Sequence, residues 1–230
     1  MKNRVAMLAV VVVVALSTTA MAFGGWAVVT VDDLPDYLVA GQPVTLSFVV
    51  RQHGVTRLTG LSPSVVMWSG DTRTSTPARP MAEAGRYTYT VTVPRAGDWS
   101  FRIQSGFGPS NTTLLPITAV AAGAQPPRLV ADHVRGMRLF HAKGCVTCHV
   151  RGSLGGDGIR VGPELTGKRY VADYVATFLA DPDASPLSKQ TNSDLRMPKL
   201  DLKPREIASL VAFLNSDAST ATAGTSSGAR

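Results

Sequence analysis

The sequence predicts two domains, an all-β sandwich followed by a small all-α domain. Three observations point there. Residues 26–120 alternate apolar and polar side chains with period two, the pattern of strands that bury one face. Beyond residue 128 apolar residues recur at helical spacing. Between them "AAGAQPP", residues 121–127, interrupts both periods with small residues and two prolines. At 230 residues the chain is long enough for each part to hold its own core. The expected division is a leader at 1–22, a β-domain at 23–120, a linker at 121–128, an α-domain at 129–216 and a disordered tail at 217–230.

The leader carries Lys2 and Arg4, an apolar run from Val5 to Leu16, and "STTAMA", where Ala20 and Ala22 form a small-x-small cleavage pattern. Cleavage after Ala22 is the expected outcome. An uncleaved anchor is the rival, because apolar residues resume at "FGGWAVV" and a bilayer span needs about 20 of them. Strand-like alternation from Trp26 favours cleavage. Either reading exports the rest of the chain, to the periplasm or another extracytoplasmic space.

In the first domain "VTLSFVVR" puts Val44, Leu46, Phe48 and Val50 on one face. "RYTYTVTV" alternates Tyr87, Tyr89, Val91 and Val93 with threonines, and "DWSFRIQ" alternates Trp99, Phe101 and Ile103 with polar partners. The intervening "PRAGD" reads as a turn between antiparallel neighbours. Trp26–Val31, Ser64–Trp68 and Thr112–Val120 complete a set that argues for a sandwich. With "AGQPVTLSFVVRQHG" early and "AGRYTYTVTVPRAGDWSFRI" late, this half resembles the small immunoglobulin-like FixH/YtkA-type domains of exported bacterial proteins.

In the second domain "RLVADHVRGMRLFHAKG" offers Val130, Val134 and Met137 at helical spacing and stops at Gly144, a suitable left-handed cap. "YVADYVATFLADP" repeats Val171, Tyr174, Val175 and Phe178 before Pro182. "KPREIASLVAFLNS" has Pro204 in the first turn and Ile207, Leu210, Val211 and Leu214 on one face. Three short helices make a small core, which gains greatly from an apolar group at its centre.

The only two cysteines lie in "CVTCH", residues 145–149. Zinc would need a fourth ligand, with His141 or His133 as candidates, and adjacent Cys148 and His149 reach one tetrahedral centre only awkwardly. A thioredoxin-like disulfide belongs at a strand-to-helix turn that this segment lacks. Cys-x-x-Cys-His is also the attachment sequence of c-type haem: each thiol adds to one vinyl group, and His149 becomes the proximal iron ligand. Export agrees with that third reading. For the second axial position no histidine follows His149, and a single methionine does, Met197 in "LRMPKL". A His/Met pair raises the reduction potential and closes the iron to small ligands. Lys189 and Lys199 are weaker candidates, being protonated at neutral pH. His141 and His133 read as surface residues.

The stretch "GMRLFHAKGCVTCH", with "VGPELTG" and "RMPKLDLKPREIASLVAFL" downstream, resembles class I (mitochondrial-type) cytochrome c across residues 129–215. The resemblance implies that fold and one covalently attached haem c. It also implies that Gly136 and Phe140 pack across the last helix near Leu210 and Phe213. The Pro163 carbonyl would accept the other ring N–H of His149 and fix its orientation. Lys203 departs from the usual helix cap, so that helix start is expected to be weaker. The insertion "RGSLGGDGI" is rich in glycine, and the flank it covers is expected to be mobile.

Two axial protein ligands leave no open position, so the chain reads as an electron carrier and not an enzyme. No nucleophile triad, phosphate-binding loop or carboxylate pair stands out. The net charge is +7; residues 126–230 hold fourteen basic against ten acidic residues, and 23–125 hold seven against six. No basic motif supports nucleic-acid binding. Lys143, Arg151, Arg160, Lys168, Arg169 and Lys199 form instead a candidate rim for acidic redox partner proteins, a membrane respiratory complex among them. Alternatives stay open: a haem sensor or enzyme with a displaceable Met197, or a copper site from His53, Met67 and Met81. The default role of the β-domain is docking or spacing.

Overall fold

The computed structural model describes residues 25–155, 158–184 and 197–217. The expected leader, Lys189, and all of the expected tail but Asp217 lie outside the described residues. Among those described, no helix is long and apolar enough to cross a membrane.

The first half is built of strands β1 (Ala27–Val31), β2 (Leu38–Val39), β3 (Pro43–Gln52), β4 (Thr56–Arg57), β5 (Ser64–Ser69), β6 (Thr72–Pro77), β7 (Arg79–Pro80), β8 (Arg86–Thr92), β9 (Gly97–Gln104) and β10 (Asn111–Val120). They form two five-stranded sheets. One runs β1-β3-β8-β7 with β4 added beside β3, and the other runs β2-β10-β9-β5-β6. Both sheets feed one apolar cluster, with Phe48, Tyr87, Trp99, Phe101, Ile103 and Ile117 almost wholly buried. The alternating runs therefore point inward as their period requires. Buried polar tips find partners: Tyr87 Oη donates to Leu58 O at 2.9 Å and Trp99 Nε1 to Arg95 O at 3.0 Å.

The expected turn at "PRAGD" does not join paired neighbours. β8 pairs with β3 and β7, whereas β9 pairs with β10 and β5, so the turn carries the chain from one sheet to the other. Alternation marks which residues face a core and says nothing of which strand lies alongside. β6, "TRTSTP", escapes an apolar pattern altogether because it is an edge strand with its side chains largely exposed.

β1 is buried along its whole length. Ala27, Val29 and Val31 face the β-core, and Val28 and Thr30 face the second half of the chain. Opposite them on β3 lie Arg51 and Val49, also buried. This outer face of the sheet is thus covered by the second half of the chain, which explains why both parities of β1 are apolar or hydroxyl-bearing.

The second half contains helices α1 (Asp132–Ala142), α2 (Ala172–Ala180) and α3 (Pro204–Leu214). α1 and α3 cross at Gly136. A Cβ there would lie 1.9 Å from Ser209 O and 2.6 Å from Phe213 Cβ, so only hydrogen fits. Phe140 packs on Phe213 with centroids 5.5 Å apart. The buried face of α3 is Glu206, Ser209, Leu210, Phe213 and Leu214; of the expected stripe, Leu210 and Leu214 are buried, and Ile207 and Val211 are half-buried against the same core. Glu206 is buried on the same face. Its carboxylate accepts Lys203 N–H at 3.0 Å, capping the helix start, and pairs with buried Lys143 Nζ at 2.8 Å.

That pair sits on the boundary between the halves. Lys143 Nζ also donates to Asp32 O at 2.5 Å, and Thr30 Oγ1 donates to Lys143 O at 3.4 Å. The segment "DDLPD" meets further cations: Arg135 Nε on Asp36 at 2.8 Å, Arg205 on Asp36 at 3.3 Å, and Lys203 on Asp33. His141, expected at the surface, turns its ring toward β10; it bonds the Thr113 backbone, and its Nε2 is buried without a partner.

Two outcomes follow from this boundary. Glu206→Ala strands a buried ammonium and is expected to cost about 3–5 kcal/mol, whereas the Lys143→Met/Glu206→Leu double variant loses much less; denaturation midpoints compare them. Burial holds the His141 pKa below its usual 6.5, against a weaker opposing pull from the Thr113 backbone bond. Above that value the ring is neutral in both states and costs nothing. As pH falls through it, the unfolded chain gains a proton that the folded chain resists, so stability drops. Urea midpoints at pH 7.5 and 5.5 should differ, and His141→Gln should narrow the difference.

Candidate functional site

α1 ends at Ala142, and Gly144 at φ 77° reverses the chain into a 3-10 turn over Cys145–Thr147. Glycine is required twice here. The left-handed backbone favours it, and a Cβ would come within 2.5 Å of Val28 Cγ1 and 2.7 Å of Val29 O. Cys148 N and His149 N both donate to Cys145 O, at 3.1 and 2.9 Å, which winds the two cysteines and the histidine into one tight turn.

Below the turn the chain returns through residues 158–165. Gly162 N donates to Cys148 O at 3.0 Å, and Pro163 O lies 3.0 Å from His149 Nδ1. With Nδ1–H as donor, Nε2 is the free ring atom. A Cβ on Gly162 would fall 2.4 Å from His149 Cε1, so the backbone lies directly against the imidazole. The glycines of the insertion serve close approach as well. A Cβ on Gly155 would meet His149 O at 2.0 Å, and one on Gly158 would meet Val146 O at 2.5 Å. Ile159 N donates to Thr147 O at 2.8 Å. The described part of the expected mobile flank is tied to the cysteine turn by these contacts.

The turn opens on a cavity of about 630 Å³, within the usual range for small-molecule and cofactor sites. Cys145, Cys148 and His149 line it together with Pro163, Met197, Leu200 and apolar residues of all three helices. Tyr174 and Val161, 43% and 42% exposed, owe that exposure to bordering the cavity. Burial pushes the Cys145 thiol up to about 12, helped by Cys148, and the Cys148 thiol up to about 11. Burial also lowers the His149 pKa, with the Pro163 bond opposing, so the ring is neutral and able to coordinate. An apolar cavity with two thiols, a neutral oriented imidazole and a thioether on its walls fits a covalently held haem.

Other expected sites separate. Cys145 and Cys148 are not joined as a disulfide. Among the described residues no group of three His, Cys, Asp or Glu is gathered for a metal ion. His53 borders the cavity, Met67 is buried in the β-core, and Met81 is exposed in the β7–β8 turn. These three do not share one environment.

Two members of the expected basic rim are interior. Lys143 is 2% exposed, in the ion pair already described. Arg151, 4% exposed, donates to Phe213 O at 2.8 Å and Ser216 O at 2.7 Å, capping α3, and lies 4.8 Å over the Phe213 ring. Arg160, Lys168, Arg169 and Lys199 are exposed. Lys199 lies 3.7 Å from Asp181. Sequence reasoning did not place Trp26, Val28, His53 and Gly54 of the β-domain at the cavity wall, and named His53 only for copper. The unbroken apolar run Trp26–Val29 was the available signal.

The cytochrome c family model matches residues 133–217. No curated protein matches the chain. Among solved structures, the chain is similar to a putative glycoside hydrolase from Bacteroides vulgatus ATCC 8482, at 20% identity over 39% of this chain and 17% of that one, with a TM-score of 0.32. It is also similar to the CARDB domain of a Pyrococcus furiosus protein, at 15% identity over 41% of this chain and 87% of that domain, with a TM-score of 0.25. The chain spans less than a fifth of the hydrolase.

Replacing Gly162 with alanine is expected to drive the imidazole off Pro163 O. The check is the yield of haem-loaded protein from a host with attachment machinery, which should fall well below that of the unaltered chain.

Proposed function

Residues 133–217 are a cytochrome c domain, and from that premise we propose that the chain is an exported monohaem electron carrier in which His149 and Met197 would hold the iron. The cavity bordered by both cysteines, His149 and Met197 carries the reading. Haem c, when bound, supplies an iron that passes single electrons between its ferrous and ferric states. Cys145 and Cys148 would hold it through thioethers. Pro163 O holds the Nδ1 proton of His149, which keeps Nε2 free as a ligand and makes it a better donor. Met197, half-buried at the cavity, would supply a soft sulfur that favours the reduced state.

The surrounding apolar walls exclude water, which raises the potential further and limits access by small molecules. Partners are redox proteins outside the cytoplasm, a membrane respiratory complex among them, met by the exposed cations Arg160, Lys168, Arg169 and Lys199. The two sheets read as an immunoglobulin-like sandwich that docks or spaces the haem domain within such a complex; their shared core supports this.

The loaded protein should give a low-spin c-type spectrum when reduced and a weak methionine–iron band toward the red when oxidised. Met197→Ala should abolish that band, lower the reduction potential and allow carbon monoxide to bind the reduced form. Ready binding of carbon monoxide by the unaltered protein would argue for a sensor or an enzyme instead.

A further inference from the structure

Met197 lies on an irregular segment that leads into α3; its side chain packs against the helical core, and the residue after it, Pro198, meets the other half of the chain. Gly54, at the tip of the β3–β4 hairpin, is buried. A Cβ there would meet Pro198 Cγ at 3.3 Å, Pro198 Cδ at 3.6 Å and Val28 Cγ2 at 3.7 Å. The proline ring next to Met197 therefore rests on the hairpin tip. His53, Gly54, Met197 and Pro198 all border the one cavity. Three residues further on, Asp201 is close enough to act electrostatically on Arg51 of β3, whose Nη1 is buried without a hydrogen-bond partner.

The hairpin tip is itself firmly held. His53 N donates to Trp26 O at 3.0 Å, Gly54 N to Arg51 O at 3.3 Å, and Val55 N to Gln52 O at 3.0 Å. The His53 and Trp26 rings lie 5.5 Å apart. A rigid surface thus meets the segment beside its sulfur, and a charge attraction acts on its far end.

We propose that the β3–β4 hairpin is a positioning element for Met197: Gly54 seats Pro198, and the β-domain thereby sets how firmly the thioether is held at the cavity. The proposal rests on the His149/Met197 reading and adds to it a part for the β-domain inside the redox site. Gly54 and Pro198 are positioning residues, since each acts through Met197.

The test uses the full haem-loaded chain and two glycines of equal φ. Gly54 and Gly41 both have φ +77°, but a Cβ on Gly41 meets nothing within 4 Å. Valine at either position meets the cost of a positive φ, and only at 54 does it push on Pro198. Imidazole titrated into the oxidised protein competes with Met197 and reads how easily the thioether leaves. Overpacking of this kind should let Gly54→Val bind imidazole about tenfold more tightly than Gly41→Val, with a weaker methionine–iron band.

Equal imidazole affinities for the two variants, with the band intact in both, would overturn the proposal and leave the ligand reading standing. Absence of the band from the unaltered protein would remove both. If Gly54→Val yields no haem-loaded protein, Gly54→Ala against Gly41→Ala makes the same comparison: a smaller difference in the same direction supports the seat, and none overturns it.

Discussion

β1 has to be covered on both faces, and much of the molecule follows from how that is done. A strand at the end of its sheet ordinarily buries one side and wets the other. Here the inward parity, Ala27, Val29 and Val31, completes the β-core, while Val28 and Thr30 are covered by the start of the cysteine turn. The contact with Val28 and Val29 O leaves space only for glycine at 144. That glycine reverses the chain so that Cys145, Cys148 and His149 face the cavity. The same approach brings Trp26 and His53 to the cavity wall. Packing between halves and shaping of the site are one event.

Electrostatics reinforces it. The carboxylates of the stretch 32–36 receive Arg135, Lys203 and Arg205, and the Asp32 backbone carbonyl receives Lys143. Glu206 joins the network from within α3, capping its own helix and neutralising Lys143. Much of the basic excess in the second half is thereby spent on the first half, and the surface left for partners is smaller than the net charge of +7 implies.

The parts that were legible in the sequence share a trait: their signal is local. Tyr87, Tyr89 and Val91 alternate because one sheet buries them, and "CVTCH" is compact enough to carry its chemistry within five residues. What stayed hidden depends on distant partners. Lys143 and Arg151 look like surface cations until α3 supplies Glu206 to one and carbonyl groups to the other. "PRAGD" looks like a hairpin turn until pairing assigns β8 and β9 to different sheets. On α3 the expected Leu210 and Leu214 are joined inside by the Glu206 carboxylate, whose buried ammonium partner comes from elsewhere in the chain. His53 carried no sign in its neighbours that it would border a cavity formed mostly by residues a hundred positions away.

The boundary also has a direction in time. β1 and the acidic stretch leave the ribosome well before the helices that cover them, so the first half emerges with an apolar and negatively charged face still open. Domains made first generally fold first. The folded sheet then offers the later segment a ready mould, already shaped for Gly144 and already carrying the Asp33 and Asp36 carboxylates for Lys203 and Arg135, before any prosthetic group has been joined. The helical unit is thus met by a surface made before it, and the order of the two halves along the chain becomes part of how the cavity is assembled.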